Sequence, residues 1–339
     1  MNWGIIGLGH MSKNFANSAQ ELENCNLIGV SSRSFLKLIK FGFKFKLKPK
    51  YLYTNYEKLL SSNEIDNIYI GTLNHTHFEL IQKCLEAKKN VLCEKPITIN
   101  LTQATEIKKK LDTSEVIFSE AIAYRSHPQL QYIIKLINQN EIGKIVKIKS
   151  SFGFDAGVPD IKGRLYNNDL GGGAILDLGC YPISMSNLIA NLNIKEENLP
   201  IIKNIKGKIF ASGVETEAEA KLVYDNGIFS EIKVSIIETL ENTTTITGTE
   251  GEIKILDPWI PKKENIIELT KKGETKKLKS LSKLNLFSYQ INLFEKIAIN
   301  KDSQSKFYTM SIQDSVNCMD IMMQWKNTII NNEKYKKQK

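Results

Sequence analysis

Asn2-Trp3-Gly4-Ile5-Ile6-Gly7-Leu8-Gly9-His10-Met11-Ser12 decides how this chain folds. Its first residues are mostly apolar and read as a buried strand. Gly7-x-Gly9 then permits a tight turn, and His10 to Leu22 carries apolar residues at helical spacing through Met11, Phe15 and Ala19. A strand, a glycine turn and a helix in that order form a cradle for a dinucleotide pyrophosphate, because the helix N-terminus offers free N–H groups. Ser12 takes the third position of the glycine pattern and is small enough to let helix and strand approach. Asn26 to Ser31 reads as a second strand, completing the first βαβ half of a doubly wound sheet.

The alternation continues outward. Tyr56 to Ser61 reads as a helix and Asn67 to Gly71 as a strand. A helix over about 77–88, a strand at Asn90 to Cys93, a helix at Leu101 to Leu111 and a strand at Val116 to Ser119 follow. Phe41, Phe43, Phe45 and Leu47 alternate with Lys44, Lys46 and Lys48, which imitates a strand. A parallel sheet needs a crossover helix at that point, so the expectation is an amphipathic helix over about 35–41 and then a loop. Interleaved Lys and Phe also resembles a platform for single-stranded nucleic acid, the less favoured reading. Beyond about residue 120 the pattern changes: a helix at His127 to Asn138, then strands at about 144–153, 203–211, 215–224, 228–237, 241–248 and 252–256. A helix carrying Asp177 interrupts them, and helices over about 286–299 and 307–330 close the chain. The expected organisation is α/β, with a dinucleotide-binding Rossmann domain over 1–120 and a second α/β domain over 121–339.

Composition narrows the function. The net charge of +9 comes almost wholly from lysine spread along the chain, alongside much Ile and Asn, so it reads as compositional bias rather than a nucleic-acid patch. No run reaches the ~20 apolar residues of a membrane span. Met1-Asn2-Trp3-Gly4-Ile5 lacks a basic leader, and the five cysteines form no Cys-x-x-Cys pair, so a reducing, cytoplasmic location is expected. His75-x-His77 has no third ligand at a metal-binding spacing, so no metal is expected. Arginine occurs only at 33, 125 and 164, all in or beside the motifs below.

Three motifs carry the chemistry. Ser31-Ser32-Arg33-Ser34 ends the second strand without the acid that usually holds an NAD ribose, and Arg33 suits a 2′-phosphate; NADP is therefore expected over NAD. Glu94-Lys95-Pro96 ends a strand at the ligand edge of the sheet, where Lys95 can hydrogen-bond a reacting oxygen and depress the pKa of a neighbouring phenol. Gly171-Gly172-Gly173-Ala174-Ile175-Leu176-Asp177-Leu178-Gly179-Cys180-Tyr181-Pro182 sets Asp177 and Tyr181 four residues apart on one helix face. The glycines before them allow backbone to pack close to a ligand. Cys93 and Cys180 flank these motifs and read as packing residues.

On Gly4-Ile5-Ile6-Gly7-Leu8-Gly9, Tyr69-Ile70-Gly71-Thr72-Leu73-Asn74-His75, Val91-Leu92-Cys93-Glu94-Lys95-Pro96, Glu120-Ala121, Arg164 and Gly171 to Pro182, the chain resembles the glucose-fructose oxidoreductase / inositol dehydrogenase (Gfo/Idh/MocA) family. The resemblance implies a C-terminal domain with a large, mostly antiparallel sheet whose open face serves a homodimer or dimer of dimers. It implies Lys95 and Asp177 as catalytic residues. Tyr181, where many members carry histidine, resembles the branch of NADP-dependent xylose dehydrogenase and dimeric dihydrodiol dehydrogenase, as does the Ser-Arg-Ser sequence. The cofactor contacts implied are Gly7, Gly9, His10 and Met11; Ser32 and Arg33; Thr72, Asn74 and His77; and Glu94 with Lys95. Arg125, with His127 nearby, and Arg164 join Asp177 and Tyr181 as the expected substrate contacts.

The reading is an NADP-dependent dehydrogenase or reductase of a sugar or related cyclic polyol, with no nucleic-acid or membrane partner. A nucleotide-sugar dehydrogenase of surface polysaccharide synthesis, or a non-catalytic NADP or sugar sensor, are the alternatives. Loops around 153–170 and 255–265 are expected to shape the pocket.

Overall fold

The computed structural model describes residues 1–192, 194, 198–300 and 308–337, with side chains through residue 333. They divide into two compact units, Met1–Ser126 with Leu284–Val316, and His127–Lys283 with Asn317–Lys339. The sequence reading places the division at 120, with 121–339 as one domain. The first unit runs on to Ser126, and a late segment returns to it.

In the first unit β1 (Asn2–Ile6), α1 (His10–Ala19), β2 (Asn26–Ser31) and α2 (Phe35–Lys44) form the opening crossover. Then come β3 (Leu52–Tyr53), α3 (Tyr56–Leu60), β4 (Asn67–Ile70), α4 (His77–Glu86), β5 (Asn90–Cys93), α5 (Leu101–Leu111) and β6 (Phe118–Glu120). All six strands are parallel, in the order β3-β2-β1-β4-β5-β6. Helices cover both faces of such a sheet, so Trp3, Ile5 and Ile6 of β1 are buried without alternation. Strand order reverses between β1 and β4, and open α/β sheets bind ligands at the carboxyl ends of the strands on either side of that switch. The glycine turn after β1 and Gly71-Thr72 after β4 lie there.

Two local expectations change. α2 extends to Lys44 rather than ending near 41, because Leu38, Phe41 and Phe45 recur at helical spacing and bury together, with the last two rings 4.5 Å apart. β3 has only two residues, too few to show a period.

The second unit contains α6 (Pro128–Asn138), β7 (Ile145–Gly153), a π-helical turn (Ile175–Gly179), α7 (Cys180–Ala190) and seven further strands. These are β8 (Ile201–Ile209), β9 (Glu215–Val223), β10 (Phe229–Ser235), β11 (Thr244–Gly248), β12 (Gly251–Ile255), β13 (Glu264–Lys271) and β14 (Glu274–Leu281). The order is β14-β13-β12-β11-β7-β10-β9-β8, antiparallel except for the β7–β10 pair. The fold class is as expected: α/β, a Rossmann unit and a second unit built on a mostly antiparallel sheet. The β13–β14 hairpin was not expected. β14 is an edge strand, Glu-Thr-Lys-Lys-Leu-Lys-Ser-Leu, exposed along most of its length with only Leu278 and Ser280 turned inward, so it lacks an apolar run or a clear apolar alternation. One face of the sheet buries Ile148, Leu222, Val234, Ile246, Ile253 and Ile267. The opposite face carries ion pairs, among them Lys147–Glu231 at 2.8 Å, Lys208–Glu217 at 3.1 Å and Lys279–Glu264 at 2.7 Å.

Two helices follow, α8 (Leu286–Ile299) and α9 (Ile312–Lys337); the start expected for α9 at 307 lies outside the described residues. α8 explains the return to the first unit. Its Phe294 packs 5.3 Å from Trp3, which in turn meets Phe15 at 5.0 Å, and Trp3 donates its indole N–H to Glu295 at 2.8 Å. Trp3→Phe keeps the ring packing and removes the donor from a buried carboxylate. It is expected to lower stability by about 1–3 kcal/mol, read from the urea midpoint.

Candidate active site

The glycine turn is built for close approach. Gly7 has φ +85, and a Cβ there would sit 2.5 Å from Thr72 Cγ2 and 2.9 Å from the Gly71 carbonyl. Ser12 is buried and donates its hydroxyl to the Gly7 carbonyl at 2.7 Å, so the residue replacing the third glycine ties the turn to α1. Gly9 caps α1 without a side-chain bond, and the first turn holds no acid. The first internal N–H bond runs from Lys13 to Gly9 at 3.4 Å, leaving earlier N–H groups for an anion. His10 is exposed and Met11 half-buried on that turn. At the end of β2, Ser32 is buried with its hydroxyl accepting from Ser34 N–H at 3.2 Å, while Arg33 is exposed. Orphan N–H groups, a crowded glycine and an exposed arginine suit the pyrophosphate and phosphates of a dinucleotide.

After β4, Thr72 and Asn74 are half-buried, and Thr76 donates to the Thr72 hydroxyl at 2.7 Å. His77 corrects an expectation. It is fully buried, with Nδ1 2.8 Å from the Pro96 carbonyl and Nε2 3.4 Å from the Thr72 carbonyl. Burial pushes its pKa down to about 4, against the pull of both carbonyls. The neutral ring then has one N–H, and the shorter contact assigns it to Pro96. His77 is a tie between the loops after β4 and β5, not a ligand contact.

That second loop carries Lys95. Glu94 is buried and accepts from the Tyr69 phenol at 2.5 Å; Lys95 is half-buried, and its bond to Pro96 is cis. The Ile97 N–H, just beyond, donates to the buried Glu120 carboxylate at 2.8 Å. Burial raises Glu120 to about 7, opposed by the Ile97 N–H and the charge of Lys95. Glu120 was not among the expected site residues, although its acid sits at a strand end beside the ligand edge.

Arg125 corrects a second expectation. It lies buried in a 3-10 turn, with Nε donating to the Tyr308 carbonyl at 2.5 Å and Asp314 3.8 Å from its guanidinium. Its guanidinium ties down Tyr308 and Asp314 of the 308–314 segment. His127 in the second unit caps α6: Nδ1 accepts from Gln129 N–H at 3.1 Å, so Nε2 donates to Ser282 at 3.2 Å.

In the second unit Asp177 sits on the π-helical turn and Tyr181 in the first turn of α7, so the expected single α-helix is interrupted between them. Such turns are frequent at functional sites. Arg164 reaches Asp177 at 2.7 Å; the carboxylate is buried and the guanidinium half-exposed. The Tyr181 ring meets Phe152 edge-on at 5.0 Å and Trp259 at 6.0 Å. Trp259 comes from the expected pocket loop and is fixed by its N–H to the Ser151 carbonyl at 2.8 Å. A tryptophan in an Asp-Pro-Trp turn was a readable signal that the sequence reading passed over.

The glycine run packs against protein rather than leaving space for a ligand. A Cβ on Gly172 would lie 2.6–2.7 Å from the carbonyls of Arg164, Leu165 and Asn167. One on Gly173, at φ +110, would strike the Glu215 carboxylate. Glu215 is wholly buried, accepts from Ile175 N–H at 3.1 Å at the start of the π turn, and faces Lys326 at 3.7 Å. Lys326 also reaches Asn168 at 3.2 Å. Burial raises the Glu215 pKa, opposed mainly by Lys326. The cysteines behave as expected of packing residues: Cys93 and Cys180 are buried, and burial holds the Cys93 thiol well above its usual range. Among the described residues no cluster of three metal-ligating side chains occurs, and no helix is long and apolar enough to cross a membrane.

Two outcomes follow for these carboxylates. Because Glu120 titrates near 7 when folded and 4.5 when exposed, the folded state holds the extra proton and stability falls as pH rises between those values. Glu120→Gln should abolish that fall, leaving the variant about 3 kcal/mol better off relative to wild type at pH 8 than at pH 4, by denaturant titration. Lys326→Met leaves Glu215 without its cation and should cost about 3–5 kcal/mol at neutral pH, with part regained in acid as the carboxyl protonates.

Comparison with known proteins agrees with this architecture. The oxidoreductase family with an NAD-binding Rossmann fold (GFO/IDH/MocA) matches residues 1–122, and the GFO/IDH/MocA C-terminal domain matches residues 130–254. A trans-1,2-dihydrobenzene-1,2-diol dehydrogenase from Xenopus tropicalis is 31% identical over 263 residues, covering 76% of each chain. The Mus musculus protein of that name is 29% identical over 279 residues, covering 81% of this chain and 79% of that one. Among solved structures, an aldose-aldose oxidoreductase from Caulobacter crescentus superposes with TM-score 0.87 at 17% identity, covering 98% of both chains. A 3-ketoreductase from Actinomadura kijaniata, bound to NADP and TDP-benzene, gives TM-score 0.81 at 19% identity over 95% of both. With the glycine turn, the two sheets and these matches in place, the chain is an oxidoreductase belonging to the GFO/IDH/MocA family.

Proposed function

We propose that the protein is an NADP-dependent dehydrogenase or reductase of a sugar or related cyclic polyol. The observation that carries this reading is the group around Tyr181: a phenol walled by Phe152 and Trp259, one turn from the Asp177 carboxylate and its Arg164 partner. Flat aromatic walls suit a ring, and a carboxylate–guanidinium pair suits neighbouring hydroxyls as acceptor and donor. The relatives named for a dihydrobenzene diol act, by that name, on a cyclic diol, which has the same pair of groups.

The bound nicotinamide supplies the hydride acceptor or donor. In this proposal Tyr181 exchanges the proton of the reacting oxygen. A phenol titrates near 10, so a nearby cation must lower that value for exchange at neutral pH, and Lys95 is assigned that role. Asp177 orients the substrate through a second hydroxyl, and Arg164 binds substrate oxygen. Gly7, Gly9, His10 and Met11 hold the pyrophosphate, Arg33 and Ser32 the 2′-phosphate, with Thr72, Asn74 and Glu94 lining the loops beyond. Exposed Arg33 and the missing acid at the end of β2 favour NADP over NAD. A homodimer through the ion-paired face of the second sheet completes the reading.

The test follows absorbance of the reduced nicotinamide with NADP and NAD across aldoses, inositols and cyclic diols. Tyr181→Phe and Lys95→Ala should each lower turnover by about 10²–10⁴-fold while NADP still binds. Unchanged turnover in Tyr181→Phe would remove the phenol from the mechanism. Arg33→Ala should weaken NADP by about 10-fold or more and leave NAD nearly unchanged; equal losses for both would overturn the phosphate assignment.

A further inference from the structure

The crossover helix α2 has three sides. At about 100° per residue, Leu38, Phe41, Gly42 and Phe45 fall on one side, and all four are buried. Phe35, Leu36, Ile39 and Phe43 fall within about 100° of arc on another. These four are exposed, by 62%, 72%, 45% and 88%. Lys37, Lys40 and Lys44 line the border of that apolar stripe, and the chain continues through Lys46, Lys48 and Lys50, all exposed. No acid occurs between Glu23 and Glu57. Among the described residues, Lys50 pairs with Glu64 at 3.5 Å, while no carboxylate lies within ion-pair distance of the other five lysines.

Apolar side chains clustered on the solvent side of a helix mark an interaction surface. Charge selects the occupant. A second copy related by two-fold symmetry would press like charges together, so the partner is anionic. Along the helix axis aliphatic Leu36 and Ile39 separate the rings of Phe35 and Phe43, where a nucleic-acid platform would need adjacent stacking rings. An apolar stripe bordered by lysines matches a helix lying in the plane of a lipid headgroup region. We infer that α2 docks the protein on an anionic membrane surface, with Phe35, Leu36, Ile39 and Phe43 entering the headgroup layer and the lysines meeting lipid phosphates. This departs from the expectation of no membrane partner, which rested on the missing spanning segment and does not bear on a helix lying flat.

The experiment is co-sedimentation of the full chain with vesicles of mixed phosphatidylglycerol and phosphatidylcholine, and of phosphatidylcholine alone. Binding is expected to the anionic vesicles only, and to weaken as salt rises from about 50 to 500 mM. A Leu36→Gln/Phe43→Ser variant and a Lys37→Gln/Lys40→Gln/Lys44→Gln variant should keep the wild-type circular dichroism and melting temperature. The first should lose binding, and the second should bind on the order of 100-fold more weakly. Absence of binding, or binding that neither variant weakens, overturns the proposal. So does tighter binding to a single-stranded oligonucleotide or an acidic polypeptide than to the vesicles. A concentration-dependent dimer that disappears in the Leu36/Phe43 variant overturns it in favour of a second copy.

Discussion

In each unit a fully buried glutamate at a strand end accepts one backbone N–H from the turn that carries a candidate catalytic residue. Glu120, closing β6, takes the Ile97 N–H two residues past Lys95. Glu215, opening β9, takes the Ile175 N–H two residues before Asp177. A buried carboxylate without partners is unstable in an apolar interior, so each glutamate holds its turn in one place. The cost of burial is visible in both, whose pKa values are raised chiefly by desolvation. The two differ in how charge is offset. Glu215 faces Lys326 at 3.7 Å, whereas Glu120 is held by the Ile97 N–H and the charge of Lys95.

Around these anchors the remaining polar groups divide by exposure. Arg164 is half-exposed and pairs with Asp177, an arrangement with room for a ligand oxygen. Arg125 is buried and spends its donors on the Tyr308 carbonyl and Asp314. His77 and His127 are buried and neutral near pH 7, and both act on backbone or hydroxyl groups of their own unit. Chemistry-bearing residue types therefore serve two ends here. Arg125, His77 and His127 hold neighbouring backbone and hydroxyl groups in place, whereas Arg164 keeps an exposed edge beside Asp177.

Much of the first unit was legible because its signals are local. The bounds of β2, β5, α5 and α8 follow from apolar periodicity and from turn residues beside them. The glycine turn was legible for a steric reason, since only glycine tolerates the Gly7 backbone beside Thr72. The β13–β14 hairpin was not, because an edge strand rich in lysine turns only Leu278 and Ser280 inward, too little to set an apolar period. The glycine run before Asp177 suggests backbone packed close to a ligand, yet Gly172 and Gly173 lie against Arg164, Leu165, Asn167 and Glu215 of the protein itself.

The sequence by itself determined the strand–turn–helix order, the placement of Lys95, Asp177 and Tyr181 at element ends, and the absence of an acid after β2. These depend on neighbours a few residues away, where backbone sterics and periodicity act. Only the tertiary structure decided which of Arg125, Arg164 and His77 reach solvent and which are bound inside. Their partners lie beyond local range: Arg125 meets Tyr308 across 183 positions, His77 meets Pro96 across 19, and Arg164 meets Asp177 across 13. Local pattern carries no record of such pairings, because each forms only when burial forces a charged group to find whatever partner the folded chain brings beside it.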